Sequence, residues 1–181
     1  MVESLRGRLL ISGGGLYDPN FRHTVVLLGE HGVEGAVGVT LNRPMDATVE
    51  AAVPALAALV EPAEALFEGG PVQPEQPVLL VEVARPELLD VPIFGSVGFL
   101  TGAVSADLEA EIRRARVFAG HAGWGPGQLE EEMNEGSWIV EPAREDDVFT
   151  DAPDLLWHRI LERKGPGYRA LSRMPFDPST N

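Results

Sequence analysis

The chain contains no cysteine. Disulfide frameworks, thiolate nucleophiles, zinc ribbons and Cys-ligated clusters are therefore excluded. Basic residues are scarce: 14 Lys and Arg stand against 28 Asp and Glu, a net charge of −14. Duplex DNA is held by clustered Lys and Arg, so direct nucleic-acid binding is not expected. Long apolar runs are missing too. The longest uncharged stretch, residues 91–106, is broken by Pro92, Gly95, Gly98 and Gly102, and a membrane helix needs about 20 apolar residues. Residues 1–8 carry no apolar run behind their basic residues, so no secretory signal is expected and the cytoplasm is the expected location.

What is present is globular composition, 44% apolar and 23% charged, over 181 residues, the size of one domain spanning residues 1–181. The charge is unevenly spread. Residues 1–45 balance, residues 46–128 sum to −8, and residues 155–181 sum to +3. Residues 129–154 hold ten acids and one base. A solvated surface is the plain reading of that band. The competing reading is a docking face for a basic partner, whose affinity would fall as salt rises.

Periodicity places the elements. Residues 8–11 form a short strand, and residues 24–28, apolar on both faces, suit a buried central strand. Residues 36–41 alternate, with Val37, Val39 and Leu41 on one face, and residues 30–34 make a hairpin loop. Thr48 caps a helix bearing Val49, Val53, Leu56 and Val60 on one side; Pro54 kinks or splits it. Strands are expected at 77–83, 97–102, 116–119 and 137–140. Helices are expected after Ser105 (Leu108 and Ile112 inward), over 126–134, and over 154–164 with Leu156, Trp157, Ile160 and Leu161 on one face. Hairpins mixed with helices, without strict βαβ alternation, argue for an α+β fold.

Several motifs bear on chemistry. Gly120-His121-Ala122-Gly123-Trp124-Gly125-Pro126-Gly127-Gln128 is expected to leave a strand and open a helix, where backbone N–H groups approach an anion or carbonyl. No Lys-Ser/Thr follows, so it is not a nucleotide loop, and a structural turn is the preferred reading. The histidines 23, 31, 121 and 158 lack zincin spacing. A metal site gathered from Glu30, His31 and His121 is the lesser alternative to hydrogen-bonded loop histidines, and His158 is expected in solvent. No Gly-x-Ser-x-Gly elbow exists, and Ser12 has no evident base. Asp18-Pro19-Asn20-Phe21, Asn42-Arg43-Pro44 and Gly69-Gly70-Pro71-Val72 read as rigid turns.

Together these turns resemble one family. Asp18-Pro19-Asn20-Phe21, Thr24–Leu28, Glu30-His31, Gly35-Ala36 and Leu41-Asn42-Arg43-Pro44 resemble the opening of the YqgE/AlgH family. Gly69-Gly70-Pro71-Val72, the Ala122–Glu130 run, Trp157 and Asp177-Pro178-Ser179 follow in the family's order. The resemblance implies a small bacterial α+β protein built on a bent, barrel-like, mostly antiparallel sheet flanked by helices, without a settled activity. Some members carry the label of transcriptional regulator. No helix-turn-helix is evident here, so a regulatory role is expected to run through a protein or small-ligand contact. Two positions depart from the pattern: relatives often have Cys where Gly29 stands and Tyr where His121 stands. A thiol role is thereby excluded for this chain.

The candidate ligand-binding set is Asn20, Glu30, His31, Asn42, Arg43, Gly123, Trp124, Gly125 and Gln128. No metal or cofactor is implied. The first expectation is a regulatory or ligand-binding protein without catalysis. The alternative is an enzyme that gathers the Glu30-His31, Asn42-Arg43 and Gly123–Gln128 loops in one concavity. The two differ geometrically: a shared pocket with exposed polar tips favours the latter, and buried, mutually bonded side chains mean scaffold.

Overall fold

A computed structural model describes residues 3–13 and 22–173. Ten strands form one sheet: β1 (Arg8–Ser12), β2 (Val25–Gly32), β3 (Gly35–Thr40), β4 (Pro44–Thr48), β5 (Ala65–Glu68), β6 (Val72–Val83), β7 (Val91–Phe94), β8 (Val97–Leu100), β9 (Ile112–Trp124) and β10 (Trp138–Pro142). The order is β10-β1-β2-β3-β9-β6-β8-β7, with β4 on β5 and β5 on β9. Among the described residues every pairing is antiparallel except β5 with β9. The sheet bends on itself without closing: among the described residues β7 and β10, the ends of the path, do not pair. The bend brings β7 beside the N-terminal segment, where Ile93 O lies 3.3 Å from the space a side chain at Gly7 would take.

The α+β expectation and the bent, barrel-like sheet are both borne out. Strand β2 explains why its apolar residues show no alternation. Val25 and Leu27 enter the main core inside the bend, while Val26 and Leu28 enter a second core on the outer side. Burying both faces removes the need for a polar one. The helix over Leu156–Lys164 packs Leu156, Trp157, Ile160 and Leu161 into the main core, as its periodicity requires. The helix over Gln128–Asn134 covers the outer core with Leu129. A third core joins Leu79, Val81 and Val83 of β6 to Val49 and Val117.

Thr48 does cap a helix, accepting from Ala51 N at 3.2 Å. Pro54 splits the segment as expected, into α1 (Val49–Ala52) and a 3-10 stretch over Pro54–Leu59. Three expectations need correction. The β2–β3 connection is a two-residue turn, since the strands pair out to Gly32 and Gly35. The helix capped by Ser105 is one turn, α2 (Ala106–Glu109), because Ile112 already belongs to β9. The Gly120–Trp124 run is the end of β9 itself, and the helix that follows, α3 (Gln128–Asn134), begins only at Gln128. Strands β4, β5 and β7 are further additions, too short to show a period in the sequence.

Two irregularities decide which side chains face inward. The β2–β3 register shifts between Leu28 and Glu30, so Gly29 is a bulge. A Cβ there would lie 2.5 Å from Phe99 Cε2, so only glycine lets that ring cross the strand undisturbed. In β9, Gly120 has φ +72, and a Cβ there would meet Gly70 O at 2.7 Å. Phe118 belongs to the main core and Ala122 to the outer core, though an even spacing in a regular strand puts both on one face. These two irregularities reset the alternation of the residues that follow them.

Candidate functional site

The reset side chains meet at a cavity of about 540 Å³ where the sheet bends between β3 and β8. Its wall is apolar: Val37 and Val39 of β3, Val78 and Leu79 of β6, Phe99 of β8, and Val53 and Leu56 from the α1 region. Glu30 and His121 supply the ionisable groups, and among the described residues no Lys or Arg lines it. The volume lies in the range of small-molecule sites, which are mostly apolar with a few placed polar groups. Gly29 and His121 are both in this wall.

Of the nine residues singled out from sequence, Glu30 lines the cavity. Gly123 lies just beyond its edge, paired with Val37 across β3 and β9. Asn20 lies outside the described residues, as do the Asp18–Phe21 turn and the Asp177-Pro178-Ser179 run. The others do not share this concavity. His31 faces the opposite way to Glu30, its side chain 2% exposed. Its Nδ1 accepts from Leu5 N at 2.9 Å and its Nε2 meets Glu130 Oε1 at 2.7 Å. This partner holds the Glu130 carboxyl below its ordinary range, chiefly through that hydrogen bond. Neighbouring residues in a strand point apart, so Glu30 and His31 cannot act on one ligand.

Asn42 and Arg43 serve backbone at another end of the sheet. Asn42 Oδ1 accepts from Val25 N at 3.0 Å, its Nδ2 donates to His23 O at 2.7 Å, and Arg43 Nη2 donates to Arg22 O at 3.2 Å. The Gly-Trp-Gly turn is held by Glu132. Its Oε2 accepts from Trp124 Nε1 at 2.9 Å and from Trp138 Nε1 at 2.7 Å, with the two indoles edge to face. Gln128 Oε1 accepts from Gly125 N at 3.0 Å, and its Nε2 donates to Glu132 Oε1 at 3.1 Å. His31 and Trp124 are buried and bonded, Asn42 and Arg43 are half-buried and bonded to backbone, and Gln128 is exposed but tied to Gly125 and Glu132, so these loops do not gather in the one concavity expected of them.

His158 is not simply solvated. Its Nδ1 meets the Ser172 carbonyl, and its ring stands edge-on to Trp157 at 5.2 Å. His23 stacks on that indole at 3.8 Å. Burial, and then His158, push the His23 pKa down. Among the described residues no group of three or more His, Asp or Glu is placed to hold a metal ion, and no helix is long and apolar enough to cross a membrane. The residues missed by sequence reasoning are the wall-forming Val37, Val39, Val53, Leu56, Val78 and Phe99. Apolar side chains carry the same pattern whether they fill a core or line a cavity.

The same fold, with roughly a quarter to a third or more of the residues identical, recurs in proteins of several bacteria. The chain is 37% identical to a UPF0301 protein of Streptomyces avermitilis, covering 99% of this chain and 97% of that one. It is 36% identical to a UPF0301 protein of Chlorobaculum tepidum, covering 97% and 95%. An X-ray structure of a Corynebacterium diphtheriae protein superposes with a TM-score of 0.84 at 27% identity, covering 94% of this chain and 93% of that one. The solution structure of the AlgH protein from Pseudomonas aeruginosa gives 0.71 at 26%, covering 97% and 96%. With residues 9–169 matching the model of the AlgH-like family DUF179, the chain belongs to that family.

Proposed function

We propose that this protein is a non-catalytic binding protein that takes up one apolar small molecule in the cavity between β3 and β8. The observation that carries this reading is the cavity itself: about 540 Å³, walled by valine, leucine and phenylalanine. A cleft of this size, mostly apolar with a few placed polar groups, suits a small ligand. Of the sequence-derived polar residues among the described ones, Glu30 alone reaches the cavity, while His31, Asn42, Arg43, Trp124 and Gln128 are held in structural bonds elsewhere, which leaves no nucleophile–base–orienter arrangement to support catalysis there. A regulatory output then runs through ligand occupancy or a protein contact rather than through duplex DNA. Supporting this, Arg85, Arg114, Arg116, Arg163 and Lys164 each face a carboxylate.

The test is titration with a neutral solvatochromic dye such as Nile red. Saturable one-site binding is expected, together with its loss in Val37→Trp, where a half-exposed side chain is enlarged across the mouth. A dye signal that does not saturate, or that survives in Val37→Trp, would defeat the reading. A gel shift with duplex DNA at physiological salt is expected to show no retarded band.

A further inference from the structure

Resting on that binding reading, we infer that the ligand of this cavity is cationic at one end: an apolar body carrying an ammonium group that seats on the Glu30 carboxylate. Four observations lead there. First, the Gly29 bulge turns Glu30 to the cavity side while His31 is bonded to Leu5 N and Glu130, so the acid is delivered to the site by a break in an otherwise regular strand. Bulges commonly re-aim a side chain next to a functional site.

Second, Glu30 is an exposed acid without a protein partner among the described residues, as is Glu34 in the adjacent turn, and of the two Glu30 lines the cavity. Glu130 and Glu132 are committed to His31, Trp124, Trp138 and Gln128. Neither the Glu30 nor the His121 side chain makes a hydrogen bond or ion pair with another described residue. Third, the described lining holds one carboxylate and neither Lys nor Arg. With no Lys or Arg in the described wall, an anionic head group would find no counter-charge, whereas a cation finds Glu30. Asp90, which accepts from Thr101 N at 2.8 Å at the rim, and the net charge of −14 add to the same field.

Fourth, the sheet offers an apolar strip that leads away from Glu30. Glu30 pairs with Val37, Val37 pairs with Gly123, and Val72 Cγ2 lies 3.7 Å from where a Gly123 Cβ would stand. Val37 and Val72 are 37% and 38% exposed, and Gly123 between them leaves bare backbone. An alkyl or aryl body lies in the cavity against Val37, Val39 and Phe99 with its charged end at Glu30, and the strip extends that apolar wall past the cavity's edge. The arrangement is a charged head site and an apolar track in one row across four strands.

The experiment uses the full chain and three probes of equal length: n-octylammonium, 1-octanol and octanoate. Affinities come from calorimetry, and the site is located by amide shifts at Gly29, Val37 and Gly123. A charge-assisted hydrogen bond predicts octylammonium binding about tenfold or more tighter than 1-octanol, with octanoate weakest. In Glu30→Gln the advantage over 1-octanol disappears, while in Glu34→Gln, an exposed acid in the adjacent turn, it remains. Octanoate equalling or exceeding octylammonium overturns the inference while leaving an apolar binding site in place. So does an ammonium preference that persists in Glu30→Gln, since it would then come from overall charge. Perturbation confined to amides away from the cavity also overturns it. If none of the three probes binds and Nile red does not bind either, the binding reading falls with it.

Discussion

At the scale of single residues, the acids of the 129–154 band are not one solvated face. Glu130, Glu132, Glu141 and Asp147 have named partners within the fold, whereas Asp146, though bonded to Arg114, stays in solvent. Asp147 is the most committed, 7% exposed, with Oδ1 and Oδ2 receiving Arg163 Nη1 and Nη2 at 2.8 and 2.9 Å. Removing one partner of such a pair strands the other charge, so Asp147→Asn is expected to lose about 3 kcal/mol in chemical denaturation. An exposed exchange such as Asp154→Asn should change stability by less than about 0.5 kcal/mol.

Two residues contribute to the acid side of the stability profile through a shifted pKa. The folded-state pKa of His23 lies below its ordinary 6.5, because burial and the nearby His158 oppose its charged form. The unfolded chain therefore binds the extra proton more readily, and stability rises with pH in this range. The His23 contribution is complete above pH 6.5 and is lost as pH falls through the lowered folded value. The Glu130 carboxyl is also depressed, by its hydrogen bond from His31, so its contribution is complete above its ordinary range and vanishes at still lower pH. Denaturant midpoints measured from pH 8 to pH 4 should fall in the His23 window first. Replacing His23 by Asn should flatten that first decline and leave the more acidic one intact.

At the scale of elements, the irregularities matter more than the strands. Gly120 combines a left-handed φ of +72 with backbone oxygens of Gly70 and Val72 at 2.7 and 2.8 Å from a prospective Cβ. Gly120→Ala should thus cost more than about 1 kcal/mol, seen as a lower denaturation midpoint. It should also displace His121 and weaken dye binding. By contrast, a Cβ at Gly127 meets nothing within 4 Å, and Gly127→Ala is opposed only by its φ of +78, so it should be milder and leave the cavity untouched. Long, strongly periodic elements are legible in the sequence: β2 from its unbroken apolar run, and the Leu156–Lys164 helix from its four buried residues. The short strands β4, β5 and β7 and the single-turn α2 are not, because a segment of four or five residues gives no period to read.

At the scale of the whole molecule, a net charge of −14 on 181 residues leaves a self-repulsion that local ion pairs do not cancel. Added salt screens such repulsion over about 10 Å at 0.1 M. Melting temperature is expected to rise between 10 and 150 mM NaCl, as read by scanning calorimetry; a fall would mean that the internal ion pairs outweigh the repulsion. The same net charge draws small cations toward the molecule at long range, before any specific contact forms.

Composition, spacing and punctuation by themselves determined the α+β class, the absence of thiol chemistry, the excess of acid and the family pattern. Each of these depends on local chemistry that a residue carries wherever the chain goes. Where the candidate residues would meet was another matter. His31, Asn42, Arg43 and Trp124 share turns of polar, glycine-punctuated character, which reads as one site, yet the sheet sends them to separate scaffolding bonds. Only the tertiary structure decided that Glu30 and His121 share a cavity with apolar residues from β3, β6 and β8. That outcome depends on two one-residue irregularities and on a bend joining distant strands, and neither a shift in alternation nor a long-range closure leaves a periodic trace along the chain.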